Sequence, residues 1–237
     1  MGPYLSVLIP AYNEEDRLPQ TLHKIFQFLQ KQPWSWEIIA VDDGSKDGTV
    51  KVVQNLAKQI PLRLIQLPQN KGKGAAVREG VLATEGKYVL FSDADLATPI
   101  EEIYKLLSEV TEEKYLIVIG SRALQRSLVR QNNSFLRDLA GKFFGLCGRF
   151  LLGLNIRDTQ CGFKIFERNV AHLLFSKQKL NGVVFDMEIL YLAKKEGYNV
   201  KEVPVIWEHN FNTRIPYNFS KSIAVFLDLV RIKIFHG

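Results

Sequence analysis

The sequence contains little cysteine and histidine: two cysteines, Cys147 and Cys161, and four histidines in 237 residues. This scarcity excludes a disulfide framework and a cysteine-rich zinc module, since both need several closely spaced ligands. We therefore predict that the two cysteines are reduced, structural thiols in a cytosolic setting.

Long hydrophobic runs are also missing. The longest apolar stretch, Phe143 to Leu154, is interrupted by Arg149 and is shorter than the ~20 residues that a membrane-spanning helix needs. The first residues, Met1-Gly2-Pro3, lead into an apolar segment without the basic region and small-residue cleavage site of a targeting signal. These absences predict a soluble or peripheral protein.

The composition is that of a globular chain, with 46% hydrophobic and 24% charged residues. Such fractions exclude disorder, collagen and coiled coil as descriptions of the whole. Charge is distributed unevenly: residues 1–118 contain 13 Lys and Arg against 16 Asp and Glu, and residues 119–237 contain 18 against 9. An acidic first half joined to a basic second half predicts two tasks in one chain.

Short apolar segments alternate with segments of helical spacing through the first half. The apolar segments predict five strands: Leu5–Ile9, Ile38–Val41, Leu62–Leu67, Lys87–Phe91 and Tyr115–Ile119. Such strands separated by helices are typical of a parallel sheet covered on both faces, so we predict an α/β fold with an open, mostly parallel, twisted sheet flanked by helices. The second half predicts short strands near Phe163–Phe166 and Val200–Ile206, and helices at Asn133–Leu152, Asn169–Phe175, Phe185–Lys195 and Phe219–Phe235.

Polar segments follow four of the predicted strands. They are Pro10–Glu14, Asp42-Asp43, Gln69–Gly74 and Asp93-Ala94-Asp95. Open α/β sheets bind ligands beyond the C-terminal ends of their strands. We therefore expect all four segments at one edge of the sheet.

Asp93-Ala94-Asp95 is the sharpest local signal. Two carboxylates at a strand end suit Mg²⁺ or Mn²⁺, which bridges carboxylate to phosphate and offsets the charge of a leaving diphosphate. The alternative is a capping turn before the helix at Pro99, but the position after a buried strand favours the metal. His209 would complete such a site, although a lone histidine is more often structural.

Two further strand-end segments have both a structural and a functional interpretation. Asp42-Asp43-Gly44-Ser45 is either a turn with a cap or a nucleotide contact, in which a carboxylate accepts from a base N–H or a ribose hydroxyl. Gly72 and Gly74 would let backbone N–H groups around Lys73 approach a phosphate at a helix N-terminus. Neither the P-loop spacing nor the dinucleotide fingerprint is present.

The basic half contains arginines suited to bidentate phosphate binding or to a solvated surface: Arg122, Arg126, Arg130 and Arg137. The segment Arg157–Lys164 is dense in polar residues, which need partners or line a site. Asp186 is predicted to cap a helix, and Glu188 is a candidate site acid. The amphipathic stretch Ser222–Phe235 predicts either a membrane-surface element or core packing.

Together these residues resemble the family-2 glycosyltransferases with the GT-A fold. The resemblance covers essentially the whole chain and narrows to the polyprenyl-phosphate glycosyltransferase branch through Gly120-Ser121-Arg122. The amino-acid sequence of Asp158–Lys164 is most similar to the corresponding motif of the dolichyl-phosphate β-glucosyltransferases. The segments that carry the general resemblance are Val7–Glu14, Val41–Thr49, Asn70–Gly74 and Asp93–Asp95.

The resemblance implies a role for particular side chains. The residues implied around the nucleotide base are Pro10, Tyr12, Glu14 and Asp42, and Lys73 is implied nearby. Asp93 and Asp95 would handle ribose, diphosphate and a divalent metal, Mg²⁺ or Mn²⁺. The acceptor or donor phosphates would meet Arg122, Arg137 and Arg214.

The implied reaction is an inverting transfer of a hexose, expected to be glucose from UDP-glucose, to a polyprenyl or dolichyl phosphate. A single domain is expected, in which residues 1–121 bind the nucleotide sugar and residues 122–237 face the acceptor and the membrane. The chain lacks the N-terminal hydrophobic anchor of eukaryotic glucosyl enzymes. We therefore expect a cytoplasmic protein that is peripheral on the cytoplasmic face of a membrane, held by an amphipathic surface or by a membrane-protein partner.

Three alternatives remain open at the level of the sequence. The first is a mannosyltransferase that uses GDP-mannose. The second is a family-2 enzyme that acts on a sugar hydroxyl, which would need a carboxylate base; Asp158 and Glu188 are the candidates. The third is a non-catalytic module that binds nucleic acid or an anionic membrane, which leaves the acidic strand ends unexplained; we expect no nucleic-acid partner.

Overall fold

The computed structural model describes residues 2–125, 128–130, 145–146, 148–208 and 219–237, with only the backbone for residues 130 and 219–225. The strands in these ranges are β1 (Leu5–Ala11), β2 (Trp36–Asp42), β3 (Leu62–Gln66), β4 (Tyr88–Ser92), β5 (Ile117–Ser121), β6 (Val129–Arg130), β7 (Phe163–Glu167), β8 (Val200–Pro204) and β9 (Trp207–Glu208). The helices are α1 (Leu18–Leu29), α2 (Thr49–Leu56), α3 (Lys73–Leu82), α4 (Ile103–Thr111), α5 (Arg168–Lys177), α6 (Phe185–Lys195) and α7 (Phe219–His236).

Seven strands form one sheet in the order β3-β2-β1-β4-β7-β5-β8, and β6 pairs with β9 in a separate ribbon. Strands β1 to β4 pair in parallel, as do β5 and β8. The predicted mostly parallel α/β sheet is therefore confirmed. One difference is that β7 runs antiparallel to both of its neighbours, β4 and β5. An apolar run indicates burial on both faces and carries no information on strand direction.

Both faces of the sheet are covered, as the apolar strands predict. Along β1, Leu8 packs in the core layer that contains α3, α5 and α6, whereas Val7 and Ile9 pack in the layer that contains α1 and α4. This alternation follows from the two-residue period of a strand. With helices over both faces, the C-terminal edge of the parallel strands is the accessible place for a ligand.

Strand β1 continues through Pro10, which the apolar pattern suggests as its end. Pro10 lies opposite Val41 of β2, but the pairing with β4 stops at Leu8. Beyond Leu8 one side of β1 is an edge, and a residue without an N–H is tolerated there. Strand β1 is therefore two residues longer than the predicted Leu5–Ile9, and the segment after Ala11 begins closer to the open edge of the sheet.

Two of the predicted helices are described to different extents. The predicted helix Asn133–Leu152 falls largely outside the described residues; within it, the described residues 145–146 and 148–152 are helical. The predicted C-terminal helix is present as α7. Within the described ranges, no helix combines the length and the apolar character needed to cross a membrane.

Candidate active site

The loops after β1 and β2 are joined directly by hydrogen bonds at the strand-end edge. The backbone N–H of Asn13 donates to Ser45 Oγ over 2.8 Å, and the N–H of Lys46 donates to Asn13 Oδ1 over 2.8 Å. The N–H of Glu14 donates to Thr49 Oγ1 over 2.7 Å. Short polar side chains after an apolar strand thus form a crosslinked rim.

Asp43 extends this rim to the loop before α3. Its carboxylate, which is buried, accepts from the backbone N–H groups of Lys71 and Gly72, each over 2.8 Å, and from Asn70 Nδ2 over 2.9 Å. A carboxylate with this many donors is fully engaged by the chain. Asp43 therefore shapes the loop, and the site carboxylate of this segment has to be its neighbour Asp42.

The N–H groups of the two glycines in the loop before α3 are engaged within the chain, so they give no support to the predicted phosphate contact. The N–H of Gly72 donates to Asp43, and the N–H of Gly74 donates to the carbonyl of Asn181 over 2.8 Å. Gly72 has φ +107°, and a Cβ there would lie 2.4 Å from the Asn181 oxygen. The glycines are required because the backbone at Asn181 packs against this loop.

Asp42 has a carboxylate oxygen that still needs a donor. Its Oδ2 accepts from the backbone N–H of Ser45 over 3.0 Å. Its Oδ1 is buried and has no hydrogen-bond partner among the residues that the structure describes. Buried carboxylate oxygens are nearly always paired, so this atom suits the N–H of a bound base.

The remaining residues predicted around the base lie on the same rim. Pro10 is buried in β1, and Tyr12 is 38% exposed just beyond it. Glu14 forms a double contact with Arg17, at 2.6 and 2.8 Å. Burial alone would lower the pKa of Arg17, but the hydrogen bond and charge of Glu14, together with the charges of Asp95 and Asp93, raise it. Arg17 thus links the base side of the rim to the acidic pair.

Asp93 and Asp95 follow β4 beside the ammonium group of Lys73. Lys73 Nζ lies 2.7 Å from Asp93 Oδ1 and 5.3 Å from the centre of the Phe91 ring. Burial opposes the charged form of Lys73, but the charges of Asp93 and Asp186 outweigh it and raise its pKa. The ammonium group therefore stays charged at the strand-end edge, where it suits a phosphate.

The acidic pair suits a divalent cation. Burial raises the pKa of Asp95, and the nearby charge of Asp93 raises it further, so a cation between the two would relieve their repulsion. Among the described residues no group of three or more His, Cys, Asp or Glu could hold a metal. Magnesium-type ions are commonly held by one or two carboxylates with substrate phosphates and waters, which this pair can provide. His209 lies outside the described residues.

Gly162, which directly precedes β7, supports Asp93 and was not among the predicted site residues. The N–H of Asp93 donates to the Gly162 carbonyl over 3.1 Å. A Cβ at Gly162 would lie 2.0 Å from Asp93 Oδ2. Because Gly162 has no side chain, the chain at the start of β7 can approach Asp93 closely. The glycine within an otherwise polar segment was the feature of the sequence that could have indicated this contact.

We predict that Gly162→Ala displaces the Asp93 carboxylate, since no real Cβ tolerates a 2.0 Å contact. The expected result is a loss of at least about tenfold in kcat, because misplaced reacting groups lose rate steeply. Gly145→Ala is the matched control, since its Cβ would meet no atom of the described residues within 4 Å. Equal kcat values for the two variants in steady-state kinetics would contradict the prediction.

A buried ion pair lies beneath Lys73. Lys164 of β7 and Asp186 of α6 are 2% and 3% exposed, and Lys164 Nζ lies 2.5 Å from Asp186 Oδ1. Asp186 was predicted to cap a helix. The structure corrects this, because the N-terminal cap of α6 is Val184 and no side chain caps it. The pair ties the antiparallel strand to the start of α6 and was missed because it depends on the position of β7.

Arg122 is held by Asp158 at the end of β5. Its Nε, Nη2 and backbone N–H donate to the Asp158 carboxylate over 2.7, 2.8 and 2.8 Å, and its guanidinium carbon lies 5.5 Å from the Trp207 ring centre. Burial would raise the pKa of Asp158, but the hydrogen bond and charge of Arg122 lower it instead. A carboxylate with a lowered pKa is a weak base, so the contacts favour Asp158 as the residue that positions Arg122.

Of the other predicted site residues, the structure describes the side chain of Glu188 and the backbone of Arg130. Glu188 is fully buried, and its two oxygens accept from the N–H groups of Lys179 and Leu180, each over 2.8 Å, and contact His236 Nε2 at 2.6 Å. This placement favours a structural role. The backbone of Arg130 belongs to β6, whereas the described residues do not include Arg126, Arg137 or Arg214.

Cys161 is the free thiol of the described chain and lies next to the site. It is 1% exposed, and burial raises its pKa to about 12, with a smaller contribution from Asp158. We predict that it stays protonated and unreactive at neutral pH, because the thiolate is the nucleophile. In a Cys147→Ser background, maleimide should label the folded protein slowly and the denaturant-unfolded protein completely. Rapid labelling of the folded form would contradict this burial.

The sheet and its acidic strand-end edge define an α/β nucleotide-binding enzyme of the GT-A type. Two solved structures share this fold over 98% of the chain. Mannosyl-3-phosphoglycerate synthase from Rubrobacter xylanophilus has a TM-score of 0.73 at 19% identity, with 74% of that chain covered. Glucosyl-3-phosphoglycerate synthase from Mycobacterium tuberculosis, in complex with Mn²⁺, UDP and glucosyl-3-phosphoglycerate, has a TM-score of 0.68 at 18% identity, with 79% covered.

The model of the glycosyl transferase family 2 matches residues 6–175, and the chain belongs to this family. Two curated relatives align with nearly the whole chain, and each alignment includes 74% of the relative's own length. The dolichyl-phosphate beta-glucosyltransferase of Dictyostelium discoideum is 40% identical over 242 residues. An enzyme of the same name from Trichomonas vaginalis is 39% identical over 247 residues. The predicted family and fold are therefore confirmed.

Proposed function

We propose that the protein transfers glucose from UDP-glucose to dolichyl phosphate or a similar polyprenyl phosphate, with inversion at the anomeric carbon. The observation that carries the proposal is the strand-end edge, where Asp93 and Asp95 lie beside Lys73 and near Arg17. The relatives that match most of the chain bear the name of this reaction. Carboxylates beside a cation are what a metal-bound diphosphate leaving group requires.

The donor would lie along the rim from β1 to β4. We propose that the unpartnered Oδ1 of Asp42 accepts from the base, with Pro10, Tyr12 and Glu14 around it. Lys73 would contact the diphosphate. Asp93 and Asp95 would hold Mg²⁺ or Mn²⁺, whose bound form neutralises charge on the departing UDP.

The acceptor chemistry explains why a free carboxylate base is unnecessary. The second pKa of a phosphate monoester is near ~6, so the acceptor oxygen is ionised at neutral pH and needs positioning and charge cancellation. Arg122 would supply such a charge, with Arg137 and Arg214 as further proposed contacts. A hydroxyl acceptor would need a base, but Asp158 and Glu188 are both engaged within the chain. This favours the lipid phosphate.

The two halves of the chain would then have different partners. We propose that residues 1–121 bind the nucleotide sugar and that residues 122–237 face the acceptor, within a single domain in which β7 of the second half lies between β4 and β5. We further propose that the protein works at the cytoplasmic face of a membrane, where a prenyl lipid is available, without a nucleic-acid partner. A membrane-protein partner is a further candidate.

A transfer assay tests the proposed function. Purified protein is incubated with Mg²⁺ or Mn²⁺, a short polyprenyl phosphate and either UDP-glucose or GDP-mannose. A glucosyl-lipid product that forms with metal and not after chelation is expected. Product from GDP-mannose alone would assign the enzyme to mannose transfer. Binding of UDP-glucose without a lipid product would direct the search to hydroxyl acceptors.

A further inference from the structure

Three lysines surround a cleft of about 330 Å³ at the C-terminal end of α6. Lys194 and Lys195 end this helix, Lys233 comes from α7, and Phe150 forms another part of the wall. The residues that line the cleft include no acidic side chain among those the structure describes. Three like charges around one cavity repel one another, so the cleft favours an anion.

The lysines keep donors available for such a ligand. Lys194 Nζ donates to the Gly153 carbonyl over 2.6 Å, and Lys195 Nζ donates to the carbonyl of His236. Both acceptors are backbone groups without net charge, and an ammonium group has three N–H donors. Among the residues that the structure describes, no acidic side chain pairs with Lys194 or Lys195, so the fold holds their positive charges in place.

Large apolar side chains stand exposed beside these charges. Phe150 is 91% exposed, Ile234 72% and Phe235 50%. Earlier in α7, Phe226 and Val230 are also exposed. Phe226, Val230 and Ile234 are spaced four residues apart, so they lie on one stripe of the helix. Exposed apolar area of this kind marks an interaction surface.

The stripe on α7 is flanked by charged residues. At 100° per residue, Lys233 falls just before the stripe and Arg231 lies about 60° after it, and both are exposed. Arg231 Nη1 pairs with Asp228 Oδ1 over 2.8 Å, so the basic edge is the one at Lys233. The opposite side of α7 is occupied by Leu229 and Ile232, which are fully buried in the core. An exposed apolar stripe with a basic edge on the side of the lysine cleft is the pattern of a helix that lies in a membrane interface.

We propose that the cleft of Lys194, Lys195 and Lys233 binds the phosphate headgroup of an anionic bilayer lipid, while Phe150, Ile234 and the α7 stripe enter the headgroup region. Charge complementarity selects an anionic surface, and the protruding apolar side chains select a bilayer over a nucleic acid or a free anion. This surface would be the membrane contact of the proposed lipid-phosphate glycosyltransferase, so the inference rests on the proposed function.

The cleft is separate from the acidic edge. Asp186 at the first turn of α6 approaches Lys73, and Lys195 lies nine residues later, which is about 13 Å along a helix. Binding at the cleft would therefore orient the enzyme on the bilayer without occupying the catalytic edge. A variant of the cleft is expected to keep its activity on a water-soluble, short-chain acceptor.

Co-sedimentation with vesicles tests the proposal. Vesicles of phosphatidylcholine alone are compared with vesicles that also contain phosphatidylserine, using Lys194→Gln/Lys195→Gln/Lys233→Gln and the charge-matched control Lys24→Gln/Lys51→Gln/Lys58→Gln, whose lysines are exposed elsewhere. The cleft variant should bind anionic vesicles about 100-fold more weakly than wild type. The control should lose much less. Lys233→Gln, which leaves both carbonyl contacts intact, should lose about fivefold.

Other outcomes would overturn the proposal. Equal losses in the cleft variant and the control would show that net charge alone acts. Full vesicle binding by a Phe150→Ser/Ile234→Ser variant would exclude insertion and leave a site for free phosphate, which inorganic phosphate competition would reveal. The proposed function fails separately, if wild type binds anionic vesicles but transfers no sugar to any polyprenyl phosphate.

Discussion

Lys164→Met is expected to lower the free energy of unfolding by about 3–5 kcal/mol, because it leaves the buried Asp186 carboxylate without its partner. Both side chains are almost inaccessible, and their charged atoms are 2.5 Å apart. Met is an unbranched side chain close to Lys in size, but it has neither the charge nor the N–H group that donates to the Cys161 carbonyl. The loss therefore reports mainly the cost of an unpaired buried charge, with a smaller contribution from that hydrogen bond.

The double variant Lys164→Met/Asp186→Leu is expected to recover most of that loss, since apolar replacement of a whole buried pair is close to neutral. Denaturant unfolding of the two single variants and the double variant gives the coupling free energy of the pair. The exposed pair Lys177–Glu196, with a 2.6 Å contact, is the control. Its disruption by Lys177→Met should cost under about 1 kcal/mol.

Equal costs for Lys164→Met and Lys177→Met would contradict the burial of the first pair. A double variant as unstable as the single one would indicate that the pair holds β7 and α6 together through geometry that apolar side chains cannot reproduce.

Asp95→Asn is expected to reduce kcat for transfer by at least about 100-fold with little change in stability. The substitution keeps the shape of the side chain and removes a negative charge from the proposed metal site. Stabilisation of a leaving group by a metal ion is worth several kcal/mol, and each 1.36 kcal/mol is a factor of ten in rate. Chelation of the metal from wild type should produce a loss of the same order.

Steady-state kinetics with varied UDP-glucose and Mn²⁺ measures this effect, and thermal unfolding verifies that the variant is folded. Glu112→Gln, a charge-matched change at an exposed position after α4, should leave kcat unchanged. Retention of activity in Asp95→Asn would remove this carboxylate from the chemistry. Activity that survives chelation in wild type would remove the metal.

The fold was predictable where apolar runs are long and clearly separated. Each strand of the first half was predicted within a few residues, and the helices between them follow from their spacing. Pro10 shows the limit of local rules, because it lies inside β1 where the strand has only one partner. Whether a proline ends a strand depends on the neighbour that the other side of the strand meets.

The site was predictable to the extent that it lies at strand ends. Asp42, Asp93 and Lys73 reach the same edge because parallel strands finish there, which strand order alone implies. The role of the glycine loop was less predictable, since the N–H groups of its two glycines donate to Asp43 and Asn181. Residue 181 comes from a distant part of the chain, and no spacing within the loop announces its approach.

The class of sheet, the acidic edge and the family could all be inferred from the amino-acid sequence, because these depend on hydrophobic periodicity and on short motifs next to strand ends. The antiparallel direction of β7 between β4 and β5 became visible only in the folded molecule. That insertion brings Gly162 against Asp93 and Lys164 against Asp186. Contacts between distant segments are selected by packing and by the pairing of buried charges, and those energies exist only once the chain has folded.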